Sequence, residues 1–130
     1  MLAQAANVIP LHSQELSAIA AQLLSALDAY EQAADALVEN WNDLLYSDCS
    51  ELFDEARMYA STLPKIQALY IELLICRFEL MEALWRERQH PEEIAEQSAK
   101  HKRALAELRQ ACWRHYKSGC VIQMAEKKSP

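Results

Sequence analysis

Two imidazoles and a thiol fall on one late stretch of the chain, where His101, Cys112 and His115 share a heptad-like seam with Ile94, Ser98, Leu105 and Leu108. Imidazole and thiolate are the ligands of zinc, but such sites bring them in close pairs, and no His-x3-His or Cys-x2-Cys is present. The three are spread over about four helical turns. Polar residues satisfied inside a core or interface are the better reading, and no metal or other cofactor is expected. Cys49 stands just inside a predicted helix start, where the dipole can activate a thiol, but no histidine lies near it in sequence to act as a base.

Arg109 and His115 are separated by five residues near the end of the last helical pattern, and Tyr116 follows. A cation beside a neutral imidazole could stabilise charge and relay protons in RNA cleavage by the 2′-hydroxyl of the RNA. The pair resembles the Arg-x4-6-His pattern of HEPN-type ribonucleases, a resemblance that covers one helix end and implies catalysis by those two residues. The polar residue usual after the arginine is here Gln110. No Gly-rich phosphate loop, no paired catalytic carboxylates and no nucleophile elbow accompany it, so the sequence favours a non-catalytic protein.

The elements that must position these residues are helices. The 130 residues are enough for one domain with a core, and one domain over 1–130 is expected. With 52% hydrophobic and 25% charged residues the composition is that of a globular chain, and a single glycine, Gly119, cannot serve the many turns of an all-β fold. No stretch approaches the roughly 18 apolar residues of a membrane span, and the four cysteines have no paired spacing. A soluble, cytoplasmic protein with reduced thiols is the expectation.

Spacings of three and four define an all-α antiparallel bundle of three long or four helices, at about 14–45, 49–62, 64–89 and 91–117, with short flexible ends at about 1–12 and 119–130. Asp48 with Glu51 has the form of an N-cap for the second helix, and Gly119 that of a C-cap for the last. Pro64 is expected to break the second helix from the third near Ser61 or Thr62; the apolar face of 52–63 continues in phase beyond it, so one kinked helix is the alternative.

Charge is uneven: residues 1–63 hold ten acids and one base, Arg57, whereas 64–130 hold nine acids and twelve bases, giving the net −6. The bases of the fourth helix, Lys100, Lys102, Arg103, Arg109, Arg114 and Lys117, raise a nucleic-acid reading, which the overall negative charge and their wide angular spread disfavour. The third helix is the stronger pointer. Its apolar residues subtend an arc of roughly 220°, wider than a surface helix needs. Lys65, Glu72, Glu79 and Arg86 confine water to one strip, and Arg77 alone brings charge into the arc. That guanidinium should meet Glu31, Asp35 or Asp54, or else snorkel to the surface. The expected function is a protein–protein interaction module of the adaptor, export-chaperone-like or regulatory accessory kind, homodimeric, with Tyr70, Leu74, Arg77, Phe78, Met81 and Trp85 as its partner interface.

Overall fold

The computed structural model describes residues 2–86 and 90–128, with side chains described for 15–64, 66–86 and 90–117. Its described residues form four helices and no strand: α1 (Leu2–Glu39), α2 (Asp43–Ala60), α3 (Pro64–Trp85) and α4 (Pro91–Lys128). The all-α antiparallel bundle is therefore present in its four-helix form. Cross-helix contacts give the directions, since Ser17 meets Tyr116, Tyr30 meets His101, and Glu31 meets Lys102 and Arg109. Partners that climb α1 descend α4. The same holds for α2 and α3, through Phe53 with Tyr70 and Ser50 with Arg77. α1 packs closely on α2 and α4, and α3 on α4, whereas α2 and α3, the fourth neighbouring pair, pack more loosely. That seam is the more open side of the bundle.

Pro64 breaks the chain, as its missing N–H and its clash with a preceding helical residue require. It takes the first helical position of α3, and Leu63 before it is extended at φ −119°, ψ 89°. Ser61 and Thr62 form the turn, with their hydroxyls donating to the carbonyls of Met58 and Tyr59 at 2.8 Å.

Three boundaries differ from the sequence expectation. The first helix ends at Glu39 instead of about 45, and α2 begins at Asp43 with Asn42 as its N-cap; Asp48, the expected cap, lies exposed within α2. The Asn42 side-chain oxygen accepts from the backbone N–H groups of Leu44 at 2.8 Å and Leu45 at 3.1 Å. Such a cap contributes about 1 kcal/mol. The turn is so short that the apolar stripe passes from Leu37 to Trp41 and Leu45 almost in phase, which hides the break. α1 also begins at Leu2 instead of about 14, and α4 continues through Gly119 to Lys128 instead of stopping near 117. One interior glycine costs a helix only about 1 kcal/mol relative to alanine. α3 ends at Trp85; the expected extension over 87–89 lies outside the described residues.

The core is one cluster built from every helix: Leu23, Leu27 and Tyr30 from α1, Phe53 from α2, Ile66, Leu73 and Leu80 from α3, and Leu105, Leu108 and Cys112 from α4. Each is the inward member of a three-and-four repeat, so burial follows directly from the period.

Candidate interaction face of the third helix

Leu63, Ile66, Tyr70, Leu73, Leu80, Met81 and Leu84 turn inward around α3. The outward side is not left to charge. Ile71 (50% exposed), Leu74 (43%), Ile75 (53%), Phe78 (69%) and Trp85 (69%) form a row at spacings of three, four and seven. On an α-helix these spacings bring the side chains into one stripe, here about 21 Å long. Glu72, Glu79 and Arg86 are exposed as expected, but they edge an apolar stripe and do not define the only wet strip. The 220° arc is thus wider than this chain covers. Leu44, Met58 and Trp113 are also exposed, but they sit apart on other helices, as single apolar surface residues commonly do.

Where the stripe meets the open seam, a groove of about 380 Å³ lies between α3 and the α1–α2 corner. Trp41, Asp43 and Tyr46 form one wall; Arg77, Phe78, Met81, Glu82 and Trp85 form the other. The wall is fixed by ring packing: Trp41 stacks on Tyr46 with centroids 5.2 Å apart and meets Trp85 edge-on at 5.8 Å, while its indole N–H donates to Asp43 at 3.0 Å. Tyr46 and Trp41 were not singled out as site residues by the sequence: Trp41 falls on the apolar stripe of the first helix, and Tyr46 falls where that pattern breaks.

Of the six interface residues expected from sequence, Phe78, Trp85 and Leu74 are exposed and Arg77 lines the groove; Met81 also borders it but is a core residue, 6% exposed, and in that respect a correction. Tyr70 is a correction. It is 5% exposed, stacked on Phe53 at 5.0 Å, and its hydroxyl donates to the Phe53 carbonyl at 3.0 Å, so it is a core residue. Burial lifts its phenol well above the ordinary range.

For Arg77, the pairing with an acid of the same chain is corrected, since no ion pair among the described residues joins it to one, and the side chain is half-buried. Its Nη2 donates to Ser50 Oγ at 2.7 Å, and the guanidinium lies 4.9 Å from the Phe53 ring centroid and 5.8 Å from that of Tyr46. Ring faces and a hydroxyl take the place of a carboxylate, contacts that a planar, weakly hydrated cation can make, and the buried Nε finds no hydrogen-bond partner among the described residues. Glu31 and Asp35, two of the acids expected to pair with it, are held elsewhere. Lys102 lies 2.7 Å from Asp35 and 3.4 Å from Glu31, and Arg109 lies 2.7 Å from Glu31 and 2.8 Å from Asp28. Burial works against the Glu31 carboxylate, but hydrogen bonding and charge from Arg109, with Lys102, still bring its pKa below the ordinary value. Asp54, the third, is exposed on α2.

These ion pairs also place the residues with chemical potential. Arg109, the cation of the ribonuclease-like pair, is tied to two acids of α1, and His115 is half-buried about one and two-thirds turns further along α4. Lys102, although exposed, and Arg109 are likewise tied in ion pairs, while Arg103, Arg114 and Lys117 are other exposed bases among the described residues of α4. His101 is a core residue, 2% exposed, with its Nε2 2.7 Å from the Tyr30 hydroxyl. Burial depresses the imidazole to about 4 and raises the Tyr30 phenol well above its ordinary value, so both groups are neutral near pH 7. Cys49 is not activated: burial moves its thiol up to about 11, and Cys112 up to about 12. Among the described residues no group of three or more His, Cys, Asp or Glu is placed to hold a metal, and no helix is long and apolar enough to cross a membrane.

Comparison with known proteins returns no matching family model, no matching curated protein and no matching solved structure.

Proposed function

We propose that this chain is a non-catalytic protein-interaction module, an adaptor, export-chaperone-like or regulatory accessory bundle that binds protein through the outward face of α3. One observation carries the reading: five large apolar side chains line up on α3 facing water, although the chain has three other helices with which to cover them. Apolar area of that extent is costly to leave exposed and marks contact surfaces. The groove beside Phe78 and Trp85 supports it, because a stripe flanked by an aromatic-walled pocket is the form in which helix-in-groove contacts find their anchors. Buried, reduced Cys49 and Cys112 suit a reducing compartment, so a cytoplasmic location is part of the proposal.

Affinity capture from the source cell tests it, with wild-type and Phe78→Asp baits of equal helicity. Proteins retained by the first should be lost from the second, because a carboxylate at the centre of the stripe must be desolvated on binding. Identical captured sets from both baits contradict the reading.

A further inference from the structure

The stripe on α3 can be laid on a second copy of itself. Counted from Phe78, the exposed apolar Ile71 lies seven residues before and the exposed apolar Trp85 seven after, whereas Leu74, four before, is matched by Glu82 and Ile75, three before, by the inward-turned Met81. Two α3 helices laid antiparallel with Phe78 against Phe78 therefore bring Trp85 of each onto Ile71 of the other. We propose that the outward face of α3 is a self-complementary dimer interface in which two copies meet about a two-fold axis at Phe78. The proposal rests on the reading of α3 as an interaction face and names its occupant as a second copy of the chain.

Charge selects this register. Glu72 and Arg86 lie on the same edge of the stripe, and antiparallel helices put like edges together, so Arg86 falls beside the partner's Glu72, twice by symmetry. Arg86 already holds Glu82 at 2.8 Å on the helix surface, which leaves guanidinium donors for a second carboxylate and neutralises the one acid within the stripe. Shifting the axis to lie between Leu74 and Ile75 would bury a similar apolar row but set Glu72 against the partner's Glu79, again twice. In the Phe78 register Glu79 meets its own copy once, about 80° round the helix from Ile71 where Glu72 lies about 100° round, so two attractive contacts stand against one repulsive one. Area is consistent as well. The five exposed apolar residues carry on the order of 500 Å² at the usual size of such side chains, the larger part of the roughly 800 Å² per partner of a standard interface.

Sedimentation velocity at tens of micromolar, with circular dichroism as the control for folding, is the test. The wild type should run at twice the chain mass, and Phe78→Asp at the chain mass with helicity unchanged. Reversing one charge in Glu72→Arg should weaken the dimer roughly tenfold, and adding Arg86→Glu should restore it. Under oxidation Phe78→Cys should cross-link to itself beyond the wild-type background, whereas Ile71→Cys should not, because the axis holds its two copies about 21 Å apart. A dimer that survives Phe78→Asp, or Ile71→Cys linking as readily as Phe78→Cys, overturns the proposal. A monomeric wild type overturns it too; if capture still depends on Phe78, a different protein covers the face and the functional reading stands, whereas capture independent of Phe78 removes both.

Discussion

Leu73→Ala should lower the unfolding free energy by about 2–5 kcal/mol, and the neighbouring Leu74→Ala should change it by no more than about 0.5 kcal/mol. The two leucines differ by one residue and by 100° around α3. Leu73 is wholly buried in the common core, and truncating it removes apolar contacts and leaves a void, whereas Leu74 stands partly in water with little packed around it. Urea titration at low protein concentration, where self-association does not add to stability, measures both. Equal losses would mean that α3 is turned about its axis relative to the structure described, and the outward stripe would lose its basis.

Acid should unfold the protein through His101. The buried imidazole titrates at about 4 in the folded chain and near 6.5 when unfolded. Between those values the unfolded state takes up a proton that the folded state refuses, so stability falls as pH drops through that window and is fully present above it. Integrated over the window the loss is about 3 kcal/mol by pH 4. The groups that face the ring set its size: Glu31 and Asp35 favour the charged form, Lys102 and Arg77 oppose it, and the effect of burial exceeds all four. The Glu31 carboxylate, lowered by Arg109 and Lys102, adds its own loss in the same direction at still lower pH. Urea titrations at pH 7, 5.5 and 4.5 should show this slope in the wild type and a flatter one in His101→Gln. Equal slopes would place the acid sensitivity elsewhere.

The order and direction of the helices were legible because burial follows the period, and Leu27, Leu73 and Leu105 fall inward as their spacing demands. The Pro64 break was legible because proline acts locally. The start of α2 was not: its cap is Asn42, and the apolar repeat runs across so short a turn with little phase change, which made Asp48 with Glu51 look the better signal. The width of the apolar arc pointed to α3, and Phe78 and Trp85 were identified from it, but a helical wheel cannot say which part of a wide arc the chain's own helices cover. Tyr70 was misplaced for that reason. Arg77 was misjudged for another, since a cation lying against Phe53 and Tyr46 leaves no trace in charge spacing, and the acids expected to meet it were held by Lys102 and Arg109 of α4.

Hydroxyl-radical footprinting across a concentration series tests the uncovered face of α3 most directly, because it reads side-chain exposure residue by residue. Phe78, Trp85 and Ile71 should be oxidised readily in dilute protein and become protected as concentration rises or binding protein is added, while Met58 on α2 reacts equally throughout. Phe78 and Trp85 already protected in dilute monomer, or reactive alongside Met58 under every condition, would contradict an α3 face that is open in the single chain and covered when the protein works.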